Sequence, residues 1–130
     1  MNEIRIPISP GELLDKITIL QIKAERISDP AKVANVTTEL EMLEEVWREA
    51  VSDDDEIRAL SAELRKINEA LWDIEDDIRD EERNKRFGDR FIELARAVYV
   101  TNDRRAEAKK KVNLHLNSSI VEEKSYQDYS

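Results

Sequence analysis

Apolar side chains recur at intervals of three and four residues in four successive runs of this chain, a spacing that suits helices and little else. Leu13, Ile17, Leu20, Ala24 and Ile27 make the first run, and Val33, Val36, Leu40, Leu43, Trp47 and Ala50 the second. Ile57, Leu60, Leu64, Ile67, Leu71, Ile74 and Ile78 make the third, and Phe91, Leu94 and Val98 open the fourth. Each run lies along one side of its helix and needs another element to cover it. Two glycines and three prolines leave little material for hairpin turns, while Ala, Leu, Glu, Lys and Arg dominate the rest. The expected fold is all-α: an antiparallel bundle of three to four long helices.

The punctuation between the runs places the helices. Ser9, Pro10 and Glu12 form an N-cap, a first-position proline and a capping box. Asp29 and Pro30 repeat the device for the second helix, and the acidic string Ser52–Glu56 closes that helix and opens the third. Gly88 suits a C-cap and Asp89 an N-cap for the fourth helix. The predicted helices are 9–28, 30–51, 53–86 and 89–116 within a single domain 1–130. Residues 1–8, where Ile4, Ile6 and Ile8 alternate with polar residues or proline, read as a short extended arm, and 117–130 as a polar tail. The third helix would span about 50 Å and overhang the first two, leaving apolar seam for a second copy or the tail to cover, and a coiled-coil-like homodimer is expected.

Charge and cysteine content exclude several roles. A formal net charge of −9 opposes general nucleic-acid or anionic-membrane binding. With no cysteine there is no disulfide or thiolate metal site, and no apolar run approaches a membrane span, so a cytoplasmic setting is the default. The one histidine, His115, has no evident nucleophile to serve, and neither a Gly-rich phosphate loop nor a His-based metal motif is present. No cofactor and no metal ligand are predicted.

The fourth helix carries the strongest hint of a site. Its inward stripe continues as Thr101, Arg105, Ala108, Val112 and His115, beside a second stripe through Tyr99, Asn102, Ala106, Lys109 and Asn113. The faces keep their direction and change chemistry. One reading is a solvated extension beyond the bundle; the other is that Asn102, Arg104, Arg105 and Lys109 face a cavity, where burial demands partners. The third helix offers Asn68, Trp72, Glu75 and Arg79 on one stripe, with Asp76 at its edge. Arginine would grip phosphate or carboxylate, asparagine would add an amide contact, and Trp72 a wall, while Glu75 and Asp76 would hold the arginines. On the first helix Glu12, Asp15, Lys16 and Lys23 flank the seam.

Two enzyme classes compete with a non-enzymatic module that binds a small anionic ligand or a partner protein. Helical nucleotide pyrophosphohydrolases hold Mg²⁺ on acidic pairs three residues apart, a form that Glu41 with Glu44 and Asp73 with Asp76 share. The segment LLDKITILQIKAER resembles the first helix of small chorismate mutases, with Lys16, Lys23 and Arg26 as cations, over that stretch only.

Four strings together carry a wider resemblance: ISPGELLDKITILQIKAERI, INEALWDIEDDIR, FIELARAVYVTNDRRAEAKKKVN and VEEKSY. In this order they resemble a family of short bacterial and phage proteins of unknown function, along nearly the whole chain. The resemblance implies no reaction. It does imply that the polar residues within the strings belong to a shared pattern: Glu12, Asp15 and Lys16 in the first, Asn68, Trp72, Glu75, Asp76 and Arg79 in the second, and Asn102, Asp103, Arg104 and Arg105 in the third. Glu122, Glu123, Lys124 and Tyr126 form the last, and so defined a string in a tail implies that the tail folds back on the bundle.

Overall fold

A computed structural model describes residues 3–129; Met1, Asn2 and Ser130, the ends of the predicted arm and tail, lie outside the described residues. Four helices follow in order: α1 (Pro10–Arg26), α2 (Pro30–Ala50), α3 (Asp55–Arg83) and α4 (Asp89–His115). Their ends differ from the sequence-predicted ones by at most three residues. The architecture is an all-α bundle.

Residue pairings give the directions. α1 runs alongside α3 in the same sense, since Asp15 meets Asn68 and Arg26 meets Asp73. It runs opposite to α4, with Gly11 against Asn113 and Asp15 against Arg105. α1 therefore occupies the middle, touching all three other helices, whereas α2 touches α1 alone among the helices.

That central position explains which residues are buried. Leu13, Leu14, Ile17, Leu20 and Ile22 are buried on several sides of α1, together with the polar Asp15 and Thr18. The core joins Leu14 to Ile57, Leu60 and Leu64 of α3 and to Ala108 and Val112 of α4, with Trp47, Val51, Ile67 and Leu116 packed onto it. Full burial of such a side chain contributes about 1.5–3 kcal/mol. By contrast, no residue of α2 is buried, and its Met42 and Val46 remain 48% and 49% exposed.

α3 spans about 43 Å and lies along α4, which is nearly as long, so the predicted overhang is flanked on one side rather than bare. Toward its C-terminal end its Ile74 and Ile78 are only half-buried.

Three local features depart from the expected punctuation. Ser9 caps α1, its Oγ accepting from the Glu12 N–H at 3.2 Å, but the Glu12 side chain meets Lys109 at 2.5 Å instead of completing the box. α3 ends at Asn84, ahead of Gly88, because Lys85 takes the left-handed conformation (φ 56°). The N–H groups of Arg86 and Lys85 then bond the carbonyls of Glu81 and Glu82, a Schellman ending made without glycine. Gly88, with φ −84°, is the N-cap of α4, a place assigned in advance to Asp89.

Gly11 has a different reason to be glycine: a Cβ there would lie 2.4 Å from the Lys109 carbonyl oxygen, so the start of α1 touches the α4 backbone. Among the described residues no helix is long and apolar enough to cross a membrane.

Candidate functional site

Asp15 lies at the centre of the polar interior. Its side chain is 1% exposed, and Arg105 reaches it from α4 through Nε at 2.9 Å and through a close Nη2 contact. Asn68 of α3 donates to the same carboxylate at 2.9 Å and to Thr18 Oγ1 at 3.0 Å, while the Thr18 hydroxyl donates back to the Asp15 carbonyl. Among the described residues no buried side-chain polar atom is left without a partner. The Asp15 hydrogen bond, opposed by burial and reinforced by the charges of Asp15, Glu12 and Glu122, holds the Arg105 guanidinium above its ordinary range.

One turn further along α4, Lys109 repeats the theme with Glu12 at 2.5 Å and Glu122 at 3.3 Å. Burial opposes its charge, but the Glu12 bond and the surrounding carboxylates outweigh it and raise its pKa. Asn113 completes the series by accepting the Gly11 N–H at 2.7 Å.

The tail runs back along α4 as an extended strap. Glu122 accepts from Ser9 Oγ at 3.1 Å, Lys124 pairs with Asp103 at 2.8 Å, and the Tyr129 ring meets Tyr99 edge-on at 5.0 Å. The Lys124 bond, and after it the Tyr129 bond, hold Asp103 below the usual carboxylate range.

Two clefts meet at Asn102 and Arg105, which line both. The first, about 460 Å³, lies between α1, α3 and α4: Ile19, Ile22 and Leu71 form its apolar wall, and Lys23, Asn68, Trp72, Glu75, Asp76 and Arg79 its remaining lining. The second, about 340 Å³, lies under the strap and is lined by Lys109, Lys110 and Asn113 and by Glu122, Glu123, Lys124 and Tyr126.

The structure thus brings Asn68, Trp72, Glu75, Asp76, Arg79, Asn102 and Arg105 together around one groove, with Lys109 in the adjoining cleft. Arg104 is exposed and lines neither. Lys16 is an exposed neighbour of Glu12 at 3.9 Å.

The expected pairing differs as well. Glu75 holds Arg79 on its own helix, and Arg105 belongs to Asp15 of α1. Of the chorismate-mutase-like cations, Lys23 lines the groove, whereas Arg26 pairs with Asp73 and lies 5.9 Å over the Trp72 ring. The acidic pairs proposed for Mg²⁺ do not face each other, since Glu41 and Glu44 sit on α2, which makes no helix contact with α3. Among the described residues no group of three or more His, Asp or Glu side chains converges as a metal site would. His115 stands beside Asp54, the α3 N-cap; the Ile57 N–H, followed by the His115 hydrogen bond, holds that carboxyl below its usual range.

Sequence reasoning missed Gly11, Thr18 and the Ser9–Glu122 contact. A glycine in a first helical turn, where alanine is the better helix former, was the available signal of close approach.

With this geometry in place, comparison with known proteins adds one result. Residues 4–129 match the family of unknown function DUF6165, and the chain belongs to that family. No curated protein and no solved structure matches it.

Proposed function

We propose, starting from a family membership that names no reaction, that the chain is a single, non-enzymatic helical domain that binds a small anionic molecule in the groove between α1, α3 and α4. One observation carries the reading: hydrogen-bond donors without acceptors converge there. Arg105 is held by Asp15 through Nε and Nη2, which leaves Nη1 unbonded. The Lys23 ammonium, the Trp72 indole N–H and the Asn102 amide line the same groove and make no hydrogen bond among the described residues. Of the two carboxylates in the lining, Glu75 is bound to Arg79 and Asp76 lies exposed at the rim. Arg105 is pre-organised by a buried partner, so an incoming anion meets it already oriented.

The test is a calorimetric titration with inorganic phosphate and small carboxylates. Saturable binding that Asn102→Ala and Lys23→Ala each weaken, at unchanged melting temperature, supports the reading. Binding that is not saturable, or that survives both substitutions intact, refutes it.

A second feature bears on partners: Met42 and Val46, half exposed on α2 beside its stripe, support a homodimer formed through α2. The cysteine-free composition fits a cytoplasmic setting.

A further inference from the structure

The cleft under the strap contains a bound carboxylate already, and it is the chain's own. Glu122 accepts from Ser9 Oγ at 3.1 Å and from Lys109 Nζ at 3.3 Å. The donors belong to the bundle and are well buried, Ser9 at 2% exposure and the Lys109 side chain at 15%. The acceptor does not: the Glu122 side chain is 46% exposed, on a segment with neither helix nor strand. The strap's further contacts, among them Lys124 and Tyr129 on Asp103 and Tyr129 on Tyr99, are made at exposed or half-exposed residues and are of the kind that contributes little. A buried donor pair therefore receives its acid from a weakly tethered extended segment.

This seat adjoins the proposed groove, because Arg105 and Asn102 line both clefts and Lys109 follows Arg105 by one helical turn, about 6 Å along α4. We infer that Glu122 is a built-in competitor for a second anion seat of that groove, and that the ligand carries two acid groups about one turn apart, as in a dicarboxylate or a phosphorylated carboxylic acid. The inference rests on the groove reading above. One acid group meets Arg105 and Asn102; the other replaces Glu122 against Lys109 and Ser9, and the strap lifts. Lys109 keeps Glu12 throughout, so its charge is never left uncompensated.

The experiment compares the full chain with its Glu122→Gln variant, an exposed change that leaves the core intact. Acetate serves as the single-headed probe, and malonate, succinate, glutarate and adipate as two-headed probes of increasing span. Calorimetry is expected to show the best-fitting dicarboxylate binding Glu122→Gln about threefold to fivefold more tightly than the natural chain, with acetate binding both alike. The same dicarboxylate speeds tryptic cleavage after Lys124 in the natural chain. If every dicarboxylate binds no better than acetate, and equally to both proteins with cleavage unchanged, Glu122 is a surface contact and the inference is overturned, while acetate binding keeps the groove reading alive. If neither acetate nor any dicarboxylate binds saturably, the groove reading and the inference fall together.

Discussion

Replacing Arg105 with Met takes the counter-charge from a carboxylate that cannot reach water. Asp15 has a side-chain exposure of 1%, Arg105 of 30%, and this difference decides which half of the pair is costlier to orphan. In Arg105→Met, Asp15 keeps only the Asn68 amide at 2.9 Å from another side chain, and a buried charge stripped of its partner costs about 3–5 kcal/mol. In Asp15→Asn the guanidinium that remains can turn toward solvent, and the loss falls to about 1–3 kcal/mol. With a urea slope of about 1–3 kcal/mol per molar, the Arg105→Met midpoint should fall by about 2 M, within the stability usual for a domain. Far-ultraviolet circular dichroism during urea unfolding measures both variants. The double variant, which removes both charges, should recover about 1–3 kcal/mol over the sum of the singles. If Asp15→Asn proves costlier than Arg105→Met, or if both cost under about 1 kcal/mol, the buried pair does not organise the bundle as described.

Three further outcomes are expected. Gly11→Ala forces a methyl group to within 2.4 Å of the Lys109 carbonyl oxygen, and thermal unfolding should show a loss of about 1–3 kcal/mol, larger than the same change at Gly88, where the space is open. Strap docking depends on pH at both ends. Asp103, lowered chiefly by Lys124, contributes above about pH 4 and loses that contribution as pH falls through its lowered value; Tyr129, raised chiefly by its bond to Asp103, contributes below about pH 10 and loses it as pH rises through the raised value. Ultraviolet titration of tyrosinate should therefore show one late-ionising tyrosine that moves down toward about pH 10 in Asp103→Asn, and identical curves would contradict the docking. For the dimer, sedimentation should give twice the chain mass of 15.2 kDa and a single-chain mass after Val46→Glu, whereas a monomer in the natural chain removes the proposal.

Helix content and order were legible because proline-bearing caps and three- and four-residue spacing are local signals. Ser9 and Asp29 stand at the caps they suggest. Periodicity also put Thr101, Ala108 and Val112 on the inward stripe of α4, and all three are buried. What periodicity does not report is how many partners a helix has. The α1 stripe suggests one covered side, yet three helices surround it, so Leu14, Asp15, Thr18 and Ile22 beside the stripe are buried as well. Asp15 consequently passes from a flanking residue to the central acceptor. The α2 stripe errs the other way, being equally regular yet only half-buried against α1, with no residue of the helix fully buried. The end of α3 was misread because Lys85 adopts a conformation usually left to glycine, an individual choice that composition does not announce.

The placing of α1 also bears on how the chain is made. It leaves the ribosome before α2, α3 and α4, yet its buried faces are completed by α3 and α4. Asp15 waits for residue 105 and Ser9 for residue 122, so the apolar faces of α1 stay unprotected until those residues have been made. Such a bundle closes its core only once α4 has emerged, and a nascent fragment ending before α4 is a natural client for a chaperone.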